Sequence, residues 1–169
     1  MRVLLGQSGT RQQLPGVPAQ WVNKNAFGCT SEGPTVAIHT PTSLRQAVIQ
    51  DYLWLAEFGL TAFAPKFATR SDAYGTAACL TRAVNHLVLV LFALNRKYLI
   101  NDKTALEEIA EFERAPGKFE LRVRRTLGHL GSTATELASA VESVAQLFQE
   151  TVNLTDGLYQ PRYALRKRE

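Results

Sequence analysis

The chain has 169 residues, 46% of them hydrophobic and 20% charged, the balance of a globular protein long enough to bury one core. Its net charge of +4 is partly a local matter, because the basic residues from Arg162 to Arg168 gather at the C-terminus. Only Cys29 and Cys79 occur, with no Cys/His ligand spacing, which excludes a disulfide framework and a zinc site and suits a reducing, cytoplasmic setting.

The first 40 residues are rich in glycine, proline, serine and glutamine and sustain no helical periodicity. They are expected to be irregular, with one or two short strands, and Pro34 to His39 is the candidate strand. The segment resembles a remnant severed from a larger domain. Gly6-Gln-Ser-Gly-Thr10 lacks the Gly-Lys-Ser/Thr of a phosphate loop and is read as a flexible turn. The N-terminus carries no sustained apolar region and is not read as a signal peptide.

Helical spacing begins at Thr42, where Thr42 or Ser43 is the expected N-cap and Leu44, Val48, Leu55 and Phe58 recur on one side, with Gly59 as the expected stop. Ser71 or Asp72 is expected to cap the longest helix, running to about Leu99. Its stripe of Leu80, Ala83, Val84, Leu87, Val88, Leu91 and Leu94, widened by Val90 and Phe92, places it at the centre of the protein. Its densest apolar run, Leu87 to Leu94, is short of the roughly 20 residues that span a membrane, and no membrane partner is expected.

Asn101-Asp102 is read as a turn before a short helix over Thr104 to Phe112, and Pro116-Gly117 separates that from a helix over Phe119 to Leu130. Ser132 or Thr133 caps a last helix to about Leu154, with Leu137, Val141, Val144, Leu147, Phe148 and Val152 inward. The fold class is therefore all-α: a bundle of about five helices over residues 41–157, behind the irregular segment 1–40 and before a basic tail, 158–169.

Three features invite chemistry. His39, His86 and His129 are scattered and make no metal site. Arg124 and His129 fit an R-x(4)-H spacing used by helical ribonuclease toxins, arginine for a phosphate and histidine for a proton, against the plainer reading of a surface histidine. The third is the junction Asn95 to Lys103. A helix C-terminus attracts cations and accounts for Arg96 and Lys97, but not for Lys103 at the start of the next helix, where backbone N–H groups favour an anion. Lys103 is accordingly a candidate phosphate contact, weighed against a plain surface lysine.

The ordered series Trp54-Leu-Ala-Glu-Phe58, Ala64-Pro-Lys-Phe67, Cys79-Leu-Thr-Arg82, Leu91-Phe-Ala-Leu-Asn-Arg96 with Tyr98, and Asn101-Asp-Lys-Thr-Ala-Leu-Glu-Glu-Ile109 resembles the C-terminal helical region of bacterial nucleotidyltransferase-domain proteins. These belong to the polymerase-beta-like superfamily, of the aminoglycoside and kanamycin nucleotidyltransferase type. The resemblance covers roughly Pro41 to Leu154.

It implies a helical accessory domain that binds ATP or another NTP with Mg2+ and helps to hold the acceptor. Lys103, Arg96 and Tyr98 would face the nucleotide; Glu57, Asn95 and Asp102 would line the acceptor side. The implied partners are a nucleotide, a catalytic domain or subunit, and a second copy in a homodimer, with nucleic acid disfavoured. The sequence departs from the family in having no Asp-x-Asp or Asp-x-Glu pair, so the catalytic carboxylates and the Mg2+ ligands are not expected within it and transfer by this chain alone is not expected. A truncated enzyme and a stand-alone helical subunit both fit that departure. The alternatives in other classes are the ribonuclease-toxin-like protein and a non-catalytic helical interaction module.

Overall fold

The computed structural model describes residues 41–163, and the candidate strand Pro34–His39 and the glycine turn at Gly6 lie outside them. The described residues form an all-α bundle of helices α1 (Thr42–Phe58), α2 (Ala64–Thr69), α3 (Ala73–Leu94), α4 (Ala105–Ala110), α5 (Phe119–Gly128) and α6 (Ala134–Asn153), with no strand among them. Since α1 and α2 are joined through a turn of π-helix at Gly59–Phe63, the bundle has five rods.

The expected stop at Gly59 does not occur. The glycine costs only about 1 kcal/mol in a helix interior, and the chain winds on by letting the Ala64 N–H reach the Gly59 carbonyl, the five-residue span of a π turn. Pro65 is accommodated because it falls in the first turn of α2, where its missing N–H costs least. At the other end, α1 starts without a side-chain cap: Pro41 holds the N-cap position, and neither Thr42 nor Ser43 caps it.

The sequence stripe of α3 is buried throughout, from Leu80 to Leu94, with Val90 and Phe92 buried beside it. Asp72 caps the helix, its Oδ1 accepting from the Gly75 N–H at 2.8 Å. Gly75 has no room for a side chain, since Phe67 lies against the site a Cβ would take. With 22 residues and a mean hydropathy of 1.8 over its most apolar window, α3 meets the length and composition of a membrane span. Here 61% of that window is covered by the protein, against α1, α2 and α6. Small residues on the facing rod, Ala56, Ala64 and Ala68, are at most 1% exposed and let the helices approach closely.

Helix α6 is opened by a capping box in which the Glu136 N–H donates to Thr133 Oγ1 and the Thr133 N–H donates back to Glu136 Oε2 at 3.0 Å. All six of its predicted inward residues are buried. The amphipathic α5 is tied to it by a two-pronged pair, Arg122 with Glu150 at 2.6 and 2.9 Å.

After α6, Asp156 and Gly157 take left-handed conformations, at φ 54° and 81°, and reverse the chain. The stretch from Leu158, read from sequence as the start of a basic tail, folds back on α1 as far as Tyr163. Gln50 donates to the Leu158 carbonyl, and Tyr159 is only 2% exposed.

Candidate functional site

The site is built on the end of α3. Helix α3 stops at Leu94, five residues before the expected limit, because Asn95 leaves the helical conformation and Arg96 adopts φ 57°. The Arg96 N–H then donates to the Ala93 carbonyl at 3.1 Å and the Lys97 N–H to the Phe92 carbonyl at 2.9 Å. This pairing is the Schellman ending, in which the left-handed position usually falls to glycine. Here it falls to an arginine.

Asn95 secures the turn from the side. Its Nδ2 donates to the Leu91 carbonyl at 2.8 Å and to the Arg114 carbonyl at 2.9 Å, while its Oδ1 accepts from the Arg114 N–H at 3.1 Å. One amide thus finishes α3 and clamps the loop between α4 and α5 against it. Lys97 places Nζ 4.4 Å from the centre of the Phe112 ring, a cation–π contact from that loop's start.

Two more arginines meet the same helix end. Arg45 of α1 donates Nε to the Ala93 carbonyl at 3.2 Å. Arg114, held by Asn95, sends its guanidinium to the Leu154 carbonyl at the end of α6 and to Asp156. Partial burial and the nearby Arg114 and Arg96 guanidiniums lower the pKa of Arg45, with Asp156 acting in the opposite sense.

The residues expected to face a nucleotide lie on this connection. Arg96, Lys97 and Lys103 are exposed and Tyr98 is 41% exposed. Lys103 precedes α4 by two residues, and its N–H is already taken by Asn101 Oδ1 at 3.0 Å. The first turn of the six-residue α4 carries Glu107 and Glu108, so that helix end supplies little attraction for an anion, and the Lys103 ammonium stands without its help.

The residues expected on the acceptor side are not brought together. Asp102 is exposed, and Asn95 is occupied as described. Glu57 is fully buried and accepts from the Tyr159 hydroxyl at 2.6 Å and from the backbone N–H groups of Arg162 and Tyr163 at 3.0 and 2.6 Å. It lies twelve residues along α1 from Arg45, about 18 Å at the helical rise, so it belongs to another part of the bundle.

Of the other candidates, Arg124 is engaged by Glu120 and Glu107 at 2.8 and 2.9 Å, and His129 ends α5. His86 packs against Tyr52 with ring centres 5.5 Å apart, and its Nδ1 is buried without a partner. Burial, and then Arg82, lower its pKa, so it favours the neutral form. Among the described residues no group of three or more His, Cys, Asp or Glu is placed to hold a metal ion.

Sequence reasoning missed Arg45, Arg114 and Asp156. Each sits in a different segment, and no local spacing links them. The one available signal was Asn95 within Leu-Asn-Arg96, since asparagine is common where a helix ends. No family model, no curated protein and no solved structure matches this chain.

Proposed function

We propose that the chain is the helical accessory domain of a nucleotidyltransferase, one that binds an NTP and presents it to catalytic carboxylates outside the described residues. The observation that carries the reading is the exposed connection Arg96 to Lys103, with three cations and Tyr98, set on a helix end fixed by the Asn95 clamp. Cations on a fixed support offset triphosphate charge without having to be ordered at the moment of binding.

In this reading Lys103, Arg96 and Tyr98 face the nucleotide, and exposed Asp102 is left for the acceptor. Glu57 and Asn95 act as scaffold, because their side-chain oxygens are already bonded within the protein. The described residues do not fit a resident Mg2+ site, so the metal would come with the nucleotide and take its protein ligands elsewhere.

Calorimetric titration of the full chain with ATP and Mg2+ tests the reading. The expected result is weak binding that falls several-fold in Lys103→Ala. Absence of binding, or binding unchanged in Lys103→Ala, would remove the proposed role.

A further inference from the structure

Beyond the end of α3 the exposure of side chains alternates. Tyr98 is 41% exposed, Leu99 packs against the core, and Ile100 is 91% exposed. From Tyr98 to Asn101 the chain is not helical, and no backbone N–H of that stretch bonds to another backbone group among the described residues. A period of two is that of an extended chain, in which side chains two residues apart stand on one side. Tyr98 and Ile100 therefore project together into solvent, with Leu99 as the anchor between them.

Seating Leu99 on the core obliges its neighbours to face outward, but it does not require them to be apolar. The attraction of a helix end for cations accounts for Arg96 and Lys97 and has no bearing on a phenol ring or a branched aliphatic chain. Ile100 is the most exposed large hydrophobic residue among those described. Along an extended chain the two side chains are about 6.6 to 6.8 Å apart, twice the rise per residue. Stacked bases lie about 3.4 Å apart, so one flat ring fits between Tyr98 and Ile100 with contact on both faces.

We propose that Tyr98 and Ile100 form a clip for the base of a nucleoside triphosphate, and that the clip favours purines over pyrimidines. The inference rests on the nucleotide reading above and deepens it. Lys103 follows Ile100 by three residues, at most about 10 Å of chain, so a base in the clip keeps its phosphates within reach of Lys103. They then lie toward α4 and away from the carbonyls that end α3, where an anion is disfavoured. The clip grips the faces of the ring and not its edge. It reads no hydrogen-bonding groups, and the larger purine gains more contact than a pyrimidine. ATP and GTP are accordingly equivalent ligands.

The test is calorimetric titration of the full chain, with Mg2+ present, against ATP, GTP, CTP and inorganic tripolyphosphate. Both positions are exposed, so substitutions there leave the core intact. Tyr98→Ser is expected to weaken ATP binding about tenfold and Ile100→Ser several-fold, while tripolyphosphate binding stays unchanged in both. Tyr98→Phe should bind ATP as the wild type does, and CTP should bind several-fold more weakly than ATP. Equal ATP affinity in wild type and Ile100→Ser, equal losses for ATP and tripolyphosphate, or CTP binding as tight as ATP would each overturn the clip. Tripolyphosphate binding that depends on Lys103, with no added affinity for ATP, would overturn the clip and leave the nucleotide reading standing. A wild-type chain that binds neither ATP nor tripolyphosphate would remove both.

Discussion

The Tyr159 hydroxyl donates to Glu57 Oε2 at 2.6 Å across 102 residues of sequence, and both side chains are almost completely withdrawn from solvent. The same carboxylate receives the Arg162 and Tyr163 N–H groups, so one buried acid fastens the stretch from Tyr159 to Tyr163 onto α1. Removing it strands three donors. Glu57→Ala is therefore expected to cost about 3 kcal/mol or more in urea unfolding. Tyr159→Phe, which deletes one donor and leaves the ring packed, is expected to cost about 1 kcal/mol. Equal effects from the two would show that the backbone donors contribute nothing.

The same contact sets a pH dependence. Burial, then the bond to Glu57, raise the Tyr159 pKa well above its ordinary value. In the unfolded chain the phenol ionises near pH 10, while in the folded protein it keeps its proton. Its contribution to stability is complete below about pH 10 and declines as pH rises beyond that, because the unfolded state then sheds a proton that the folded state retains. The fall should be shallower in Tyr159→Phe, and the phenolate absorbance of Tyr159 should appear only with unfolding.

Asn95 is the joint between the end of α3 and the loop that carries Arg114. Asn95→Ala loses a helix cap and both bonds to Arg114, an expected cost of about 2–3 kcal/mol at roughly 1 kcal/mol for each bond. Hydrogen exchange should show the Arg114 N–H losing protection while the centre of α3 keeps its own. Asn95→Asp keeps the acceptor for the Arg114 N–H but sets an anionic oxygen against the Leu91 and Arg114 carbonyls at a helix C-terminus, so its effect should be at least as large as that of alanine.

At the start of α6, Thr133→Ala removes the side-chain half of the capping box, at an expected cost of about 1 kcal/mol. Hydrogen bonds from the Thr133 and Ser132 backbones, then from the Thr133 hydroxyl, lower the Glu136 pKa. That interaction is complete above pH 4.5 and is lost as pH falls through the folded value. Gly131→Ala should be worse than Thr133→Ala, because Gly131 stands at φ 80° and an added Cβ would collide with Glu136. Thermal melts of the two variants decide the order.

What the sequence disclosed is what lies within a helix. Leu80 to Leu94 and Leu137 to Val152 repeat at the helical period, and a stripe wider than a surface helix needs marks a centre. Boundaries were less legible. Gly59 and Pro65 look like punctuation, yet each costs little where it falls: the π turn carries the chain past Gly59, and Pro65 lies in the first turn of α2. The end of α3 was misplaced because Tyr98 and Leu99 continue the apolar rhythm, whereas Asn95, which closes the helix, acts through bonds to a loop nineteen residues away. Tyr159 gave no periodic signal because it lies in an irregular stretch and its partner is on the first helix. The contacts of Arg45 and Arg114 were invisible for the same reason: these residues reach the end of α3 only through the packing of α1 and the α4–α5 loop on it.

The π turn at Gly59–Phe63 gives the first rod a built-in phase shift. An α-helix turns about 100° per residue, so deleting one residue from that turn would allow an unbroken α-helix and swing all that follows around the rod. Ala64 and Ala68, now fully sheltered on the inner side, would rotate off the seam, and larger side chains would arrive where there is room for only a methyl group. The extra residue works as a gear tooth: it resets which side of the rod faces inward, and a one-residue loss there should be far more damaging than the same loss in the loop before α6.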